Sequence, residues 1–371
     1  MTTCGGAPQV GWQGALPARK GANLMRESKK RHTIRDLAQA AGTSVATVSL
    51  VMNGGWKAHR INPETAERVR EQAKIMGYRP NQRAQALRLN RSSLSGLMIP
   101  HHRNRFFAGL TENFERESLN RNLVPIIGST QRDPRIEDKI ADSMIAQEVE
   151  LLVLAGVENP SRINAICREA GVRCANVDLP GKDTFSVVTD NMNGAYQLTR
   201  RLLSGLSGNV PVMFLGGRRQ EYATELRLDG FRKALIEMGR DGEAATVMCC
   251  GYSPQAAYEA LEHVVGSGEA LPCALLVNSI SAFEGFAAFW RINPSLFEGA
   301  RIASFDWDPF AACLPIDAVM LRQDVEGLIA RCFEWFDASE ERAGEMVFVT
   351  PRLMVDDLAD DGKTGSDVDG E

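Results

Sequence analysis

Residues 33–55 read TIRDLAQAAGTSVATVSLVMNGG and predict two short helices joined by a tight turn. Thr33 can cap the first helix, in which apolar side chains recur at helical spacing. Gly42 suits the left-handed turn that follows, and Ser44 can cap the second helix. The second helix keeps mostly small side chains on its outer face, which is typical of a helix that enters the major groove of DNA.

A third helix completes this unit, and the charge distribution points to the same partner. Asn62 can cap the helix, Pro63 suits its first turn and Gly77 can end it. Residues 26–91 contain 14 Lys and Arg against 5 Asp and Glu, whereas residues 92–371 contain 26 against 42. The chain therefore has a basic head and an acidic body, and we expect the head to be attracted to the phosphates of duplex DNA.

The head resembles the DNA-binding domain of the lactose-repressor (LacI/GalR) family. The resemblance implies a helix-turn-helix domain over residues 31–79 and a hinge over residues 80–92, whose helix, at about 81–89, folds only in the DNA-bound dimer. The matching residues are Ile34, Asp36, Ala38, Ala41, Gly42, Ser44, Thr47, Val48, Ser49, Val51, Asn53, Gly54, Thr65, Val69, Gly77, Tyr78, Pro80, Asn81, Ala84 and Leu87.

The same resemblance implies how the head contacts DNA. Residues 45, 46 and 50 reach base edges in the major groove, and Leu87 enters the central minor-groove step, where contacts to the kinked DNA offset the cost of unstacking. Leu50 replaces an arginine of the lactose repressor and offers apolar contact only, so we expect a different operator. The loop at 55–60 has the length of the fructose-repressor branch. The residues assigned to DNA are Thr33, Ser44, Val45, Ala46, Thr47, Ser49, Leu50, Asn53, Lys57, Arg60, Tyr78, Asn81, Arg83, Ala84, Leu87 and Arg88.

The remainder of the chain reads as an α/β body. Short apolar strands, eight of them between residues 95 and 321, alternate with amphipathic helices, which predicts doubly wound, mainly parallel sheets. Residues 93–356 resemble the two-lobed, periplasmic-binding-protein-like, sugar-sensing core of the same family. The motifs that carry this resemblance are residues 186–195, 214–231 and 302–324. It implies two discontinuous lobes, with chain crossings near residues 205, 320 and 348.

The resemblance also places an effector between the lobes. Polyol ligands are bound by carboxylate acceptors, a forked arginine donor and an aromatic face, and the chain offers all three. The residues assigned to the effector are Arg105, Phe106, Phe107, Asp178, Asp190, Arg227, Ser279, Asp306 and Gln323.

The charge of that effector stays open at this point. Ser279-Ile280 stands where the family usually has Asn-Asp, which removes a carboxylate. Leu179-Pro180 stands where the fructose-repressor branch has an arginine suited to a phosphate, although Arg105 could substitute for it. A neutral sugar, a sugar phosphate, and a nucleoside or purine all remain alternatives.

Several classes of protein are disfavoured. The sequence contains no P-loop, HExxH, GxSxG or GxGxxG motif, and its eight cysteines form no CxxC pair, so we expect neither an enzyme nor a metal or cofactor. We expect reduced, mostly buried thiols, no membrane span and no secretory signal, which indicates the cytoplasm. Residues 1–30 and the acidic residues 357–371 are expected to be disordered.

These features predict a transcriptional regulator, most simply a repressor. It would bind a near-palindromic operator as a homodimer or tetramer, under the control of a small carbohydrate. A solute-binding protein without a role in transcription is the alternative from another class, and the head argues against it.

Overall fold

The computed structural model describes residues 32–79, 91–268, 271–338 and 344–354. They belong to two compact units, which divide near residue 85. Within the described ranges no helix is long and apolar enough to cross a membrane. The seven cysteines of these ranges are all free thiols, of which Cys167, Cys174 and Cys332 are buried and Cys313 is exposed.

The first unit contains three helices, as the sequence predicts: α1 (Ile34–Ala40), α2 (Val45–Met52) and α3 (Pro63–Met76). Their apolar stripes meet in one small core, because each helix buries only the face that its periodicity defines. The buried core residues are Leu37, Ala38, Ala41, Val48, Val51, Ala66, Val69 and Ala73.

The second unit contains two six-stranded sheets. The strands are β1 (Leu94–Ile99), β2 (Val124–Ser129), β3 (Leu151–Ala155), β4 (Arg173–Val177), β5 (Ser186–Thr189), β6 (Val212–Leu215), β7 (Thr246–Met248), β8 (Ala274–Val277), β9 (Arg301–Phe305), β10 (Ala318–Arg322), β11 (Met346–Val349) and β12 (Arg352–Met354). The helices are α4 (Arg105–Asn120), α5 (Pro134–Ala146), α6 (Ser161–Ala170), α7 (Asn191–Leu203), α8 (Tyr222–Glu237), α9 (Pro254–Ser267), α10 (Ile280–Ile292) and α11 (Val325–Asp337).

Each sheet is the centre of one lobe. The strand order is β11-β5-β4-β3-β1-β2 in the first lobe and β12-β10-β9-β8-β6-β7 in the second. All neighbouring strands are parallel except β10 and β12. The two-sheet, doubly wound architecture expected from the sequence is confirmed, with one antiparallel strand at an edge.

Alternating side chains of each strand build two cores per lobe. In the first lobe Leu97 and Ile99 pack with α4 and α11, while Met98 between them packs with α5 and α6. In the second lobe Leu275 and Val277 pack with α9 and α10, on the face opposite α7 and α8. Burial on both faces explains why these strands read as continuous apolar runs.

Four strands, β5, β7, β11 and β12, were not among those expected from the sequence. Each has only three or four residues. Such a run is too short to show a period, so only its place in the sheet defines it as a strand.

The chain crosses between the lobes three times. The first crossing follows Thr189, because α7 packs on the second sheet against α8, β9 and β10; this is earlier than the crossing near 205 that we expected. The second lies at Gln323-Asp324, since α11 returns to the core of the first lobe. The third lies between β11 and β12, at Thr350-Pro351. These two lie close to the expected positions near 320 and 348.

One glycine permits the close approach of α7 and α8. A Cβ on Gly230 would lie 2.1 Å from the backbone oxygen of Met192. We therefore expect Gly230→Ala to lower the free energy of unfolding by about 3 kcal/mol or more, because backbone rather than a flexible side chain must move.

Chemical unfolding of the full chain, followed by circular dichroism, would measure this loss. Gly266→Ala is the matched control, since Gly266 is also helical but has no neighbouring atom within 4 Å of its Cβ position. We expect the control to gain about 0.5–1 kcal/mol. Equal effects of the two substitutions would contradict the proposed helix contact.

Candidate DNA interface and effector cleft

The turn between α1 and α2 is built by capping side chains. Thr33 and Asp36 cap α1 reciprocally, since each side chain accepts a hydrogen bond from the other residue's backbone N–H. Gly42 has φ +59°, and the Ser44 side chain accepts a hydrogen bond from the backbone N–H of Thr47. Arg68 of α3 donates to the carbonyl of Ala41 at 3.0 Å. These contacts fix the angle at which α2 leaves the turn.

The outer face of α2 is open to solvent. Val48 and Val51 are buried, whereas Val45 is 41% exposed and Ala46 is exposed. Leu50 is half-buried, next to the loop that follows the helix. This row of small and apolar side chains at the start of a helix fits the major groove. Residues 45 and 46 therefore face outward, and the role of residues 45, 46 and 50 at the DNA stays a prediction.

The loop after α2 is folded around a tryptophan. Trp56 packs against the head core, and the cationic groups of Lys57 and Arg70 lie 5.6 and 5.4 Å from its ring centroid. Arg60 has φ +54°, and its side chain is exposed. Lys57 and Arg60, both assigned to DNA, thus stand on an ordered loop.

The structure brings most of the residues assigned to DNA onto the surface of the head. Tyr78 is half-buried against the head core, and this burial raises the pKa of its hydroxyl. The residues that are exposed or half-buried are Thr33, Ser44, Val45, Ala46, Thr47, Ser49, Leu50, Asn53, Lys57, Arg60 and Tyr78. Those outside the described residues are Asn81, Arg83, Ala84, Leu87 and Arg88.

In the body, two aspartates follow equivalent strands of the two lobes. Asp178 comes directly after β4 and Asp306 directly after β9, and each of these strands is third in its sheet. Both have positive φ, +73° and +78°. A left-handed aspartate is uncommon, and its strain is characteristic of residues held for function. The charge of Asp306 reaches across the cleft to Asp178 and contributes to the raised pKa of that carboxyl.

Asp306 is fixed by groups from both sides. Its side chain accepts a hydrogen bond from the backbone N–H of Ile280 at 3.2 Å and another from the amide of Gln323 at 2.6 Å. The oxygen of that amide accepts a hydrogen bond from the hydroxyl of Thr189. Asp306 is therefore linked to two of the three segments that cross between the lobes.

Arg227 is almost fully buried, with 3% exposure. Its guanidinium lies 3.6 Å from the ring centroid of Phe305. It donates to the side-chain oxygen of Asn191 at 2.8 Å and to the backbone carbonyl of Asn278 at 2.6 Å. The face of the Phe305 ring therefore packs against the Arg227 guanidinium.

Phe106 and Phe107, to which the resemblance assigns the aromatic role at the cleft, are core residues by their packing. Both rings are buried in the core of the first lobe, packed edge to face with centroids 5.1 Å apart. This burial favours a core role for both. Their neighbour Arg105 does reach the cleft and pairs with Asp308 of the second lobe at 2.5 Å.

The polar residue after β8 is Asn278. The resemblance aligned Ser279-Ile280 with the family's Asn-Asp pair, which left no asparagine after β8. In the structure Asn278 directly follows β8, so the asparagine of the pair is present. Asn278 is fully buried, and neither polar atom of its side chain has a hydrogen-bond partner among the described residues. Ser279, which we had assigned to the effector, caps α10 by accepting a hydrogen bond from the N–H of Ala282. Asp190 similarly caps α7.

A second cluster at the cleft was missed from the sequence. Arg132 follows β2 in the first lobe, while Glu221 and Tyr252 belong to the second. The guanidinium of Arg132 lies 4.0 Å from the Glu221 carboxylate and 5.3 Å from the Tyr252 ring centroid. Tyr252 donates a hydrogen bond to Glu221, and its burial and the charge of Glu221 raise the pKa of its hydroxyl. Tyr252 follows β7, a strand that the sequence pattern did not reveal.

Asp178 has the most perturbed carboxyl group of the cleft. Burial, followed by the charge of Glu221, raises its pKa from 3.8 to about 7, although Arg227 and Arg132 oppose the shift. Asp306 adds to the rise. Among the described residues, no group of three His, Cys, Asp or Glu side chains could hold a metal ion.

Comparison with known proteins identifies the family. Residues 33–81 match the model of bacterial regulatory proteins of the lacI family, and residues 93–294 match that of periplasmic binding proteins and sugar-binding domains of the LacI family. The chain belongs to the LacI family. Family members are DNA-binding regulators, so the head and the cleft are the two sites to be explained.

Characterised relatives are operon regulators. The ribitol operon repressor of Klebsiella aerogenes is 40% identical over 250 residues, which are 60% of this chain and 93% of that protein. The sucrose operon repressor of Klebsiella pneumoniae is 28% identical over 306 residues, covering 82% of this chain and 91% of that protein.

Solved structures share the fold. The lac repressor dimer bound to operator and the anti-inducer ONPF has a TM-score of 0.75 at 18% identity, covering 88% of this chain and 98% of that chain. The Cra transcriptional dual regulator from Pseudomonas putida, in complex with fructose 1-phosphate, has a TM-score of 0.63 at 18% identity, covering 71% and 98%.

The open face of α2 leads to a test of the DNA interface. We expect Val45→Glu to weaken specific operator binding by on the order of 100-fold, because a carboxylate would be placed against the groove and its phosphates. Ile75→Glu is the matched control, since Ile75 is 70% exposed on α3 and the charge change is the same.

Gel-shift titration at fixed salt would compare the two variants with the unaltered protein, and thermal unfolding would check their fold. An equal loss of binding in both variants would contradict the assignment of α2 to the DNA.

The raised pKa of Asp178 leads to a second test. A carboxyl whose folded pKa is raised contributes stability at low pH that is lost as the pH rises from about 4 to about 7. Asp178→Asn keeps the shape and tolerates positive φ. It should therefore stabilise the protein more at about pH 8 than at about pH 5, by about 2.5 kcal/mol.

Thermal unfolding at the two pH values would measure the difference. Asp183→Asn is the control, because Asp183 is exposed, also has positive φ and lies in the loop after Asp178. A pH-independent effect of Asp178→Asn would show that this carboxyl is not perturbed.

Proposed function

We propose that this LacI-family chain is a transcriptional repressor that releases its operator when a small polyhydroxylated ligand occupies the cleft between its two lobes. The observation that carries the proposal is the pair Asp178 and Asp306. One carboxylate from each lobe stands at the same topological position, where ligands bind in open parallel sheets. A ligand with several hydroxyl donors can bridge them.

The polar groups around this pair support a polyol. Arg227 presents a guanidinium fixed on an aromatic ring, and Asn278 offers an unsatisfied amide at the end of β8. The relatives point the same way, since the ribitol and sucrose operon repressors are named for operons of polyhydroxylated compounds. We assign the effector to Asp178, Arg227, Asn278, Asp306 and Gln323.

Operator control requires that the ligand distinguish two arrangements of the lobes. Contacts across the cleft are available for this. Arg105 pairs with Asp308, and the Asn104 amide donates to the hydroxyl of Ser281 at 3.4 Å. A ligand that replaces or tightens such contacts shifts the lobes, and the shift would reach the hinge at residues 80–92, which joins the body to the head.

We further propose a homodimer on a near-palindromic operator, acting in the cytoplasm. Each subunit would contribute one head, residues 31–79, and one effector body, residues 93–356. Exposed apolar side chains on α4 and on the edge strand β2, Leu119 and Val124, support an interface at this side of the first lobe. In this role the ligand is bound and released without chemical change.

The test is gel-shift titration of the full chain on DNA fragments from upstream of its own gene. Ribitol, fructose, sucrose, cellobiose, adenosine and guanine would each be added to the complex. We expect one polyol or sugar to release the DNA and to be recovered chemically unchanged. No binding to any fragment, or release by a purine alone, would contradict the proposal.

A further inference from the structure

Arg132 is, besides Arg227, a cation at the wall of the cleft that a charged ligand could approach. It lies near Asp178, whose pKa it lowers, and its side chain is 13% exposed. An arginine in this position is the natural partner of a phosphate group, because its guanidinium can donate two parallel hydrogen bonds. Whether Arg132 can bind a phosphate depends on the ion pairs that its guanidinium already forms.

Arg132 forms ion pairs with two glutamates, one from each lobe. Glu158 of the first lobe lies at 3.5 Å and Glu221 of the second at 4.0 Å. Glu158 is half exposed and also forms a closer ion pair with Arg218. The two arginines and two glutamates therefore form a cluster without net charge, in which removal of Glu221 would leave one positive charge.

Glu221 is held in place more firmly than Glu158. Its side chain is 8% exposed, and its second oxygen accepts hydrogen bonds from Tyr252 and from Thr224, the latter at 2.7 Å. A carboxylate anchored by two hydroxyl groups stays where it is when a ligand enters, because moving it would leave buried donors unsatisfied. An entering phosphate would then meet a fixed negative charge.

We propose that Glu221 is a specificity-determining residue that excludes phosphorylated ligands, so that the effector is an uncharged polyol. This inference rests on the proposed function, since it concerns the same cleft. Arg105, the other candidate for a phosphate, is paired with Asp308 at 2.5 Å. Asp306 and the partly ionised Asp178, whose pKa is about 7, add further negative charge, which favours hydroxyl donors over anions.

The test uses inorganic phosphate as the probe, at constant ionic strength, with isothermal titration calorimetry on the full chain. We expect no saturable binding to the unaltered protein and binding with a Kd of about 1 mM to Glu221→Gln, a gain of at least about tenfold. Glutamine keeps the acceptor for Tyr252 and Thr224. The gain should disappear in the double variant Glu221→Gln with Arg132→Gln.

Glu225→Gln is the matched control. Glu221 is the N-cap residue of α8, and Glu225 lies one turn further along, where its carboxylate accepts a hydrogen bond from the backbone N–H of Gln220. This substitution removes the same charge from the same helix and should not create phosphate binding. Thermal unfolding of every variant would confirm that each is folded.

A second arm compares ribitol with ribitol 5-phosphate, and fructose with fructose 1-phosphate, in calorimetry and in operator release. In each pair we expect any response of the unaltered protein to come from the unphosphorylated compound. Saturable phosphate binding to the unaltered protein, no gain in Glu221→Gln, or preference for a phosphorylated compound would overturn the inference. None of these results would affect operator binding itself, so the proposed function is judged separately.

Discussion

The arrangement of the effector cleft depends on one buried cation. Arg227 projects from α8 into the second lobe, where a guanidinium removed from water must have its donors satisfied and its charge compensated. The Phe305 ring, the Asn191 side chain and the carbonyl of Asn278 meet these needs. Together they connect α8 with the ends of β8 and β9 and with the start of α7. Loss of this contact would affect every group that faces the ligand.

The likeness of the two lobes explains the rest of the site. The two lobes have equivalent strand orders. In each lobe the third strand of the sheet is followed directly by an aspartate with positive φ, Asp178 or Asp306. Each carboxylate can accept hydrogen bonds from hydroxyl groups, so a ligand rich in hydroxyl donors can be held by both lobes at once. A cleft of this kind is closed more easily when the ligand is present, which is the differential binding that control of an operator needs.

Much of this could be predicted from the residues themselves. The caps Thr33 and Ser44, the glycine turn and the apolar stripes determine the head locally, because each acts over one helical turn. Arg227, Asp306 and Gln323 could be assigned from family motifs, and Asp178 from the resemblance to the family; the structure brings these four residues to one cleft. Phe106 and Phe107 could not be judged in this way, because a helix pattern does not distinguish a ring at a cleft from a ring in the core.

The cluster of Arg132, Glu221 and Tyr252 could not be predicted from the sequence. They are far apart in the chain and lie in loops or at a helix start, with no motif in common, and Tyr252 follows a strand too short to be predicted. Only the packing of one lobe on the other brings their side chains together.

The sequence by itself determined the class of protein: a basic helical head, an α/β body and the residues that mark the family. Those features arise from periodicity, capping and composition, which are local. The tertiary structure decided where the chain crosses between lobes, which polar groups are left unsatisfied and which arginines are already neutralised. These properties depend on distances between segments that are remote in the chain, and they determine the charge of the ligand that the cleft can accept.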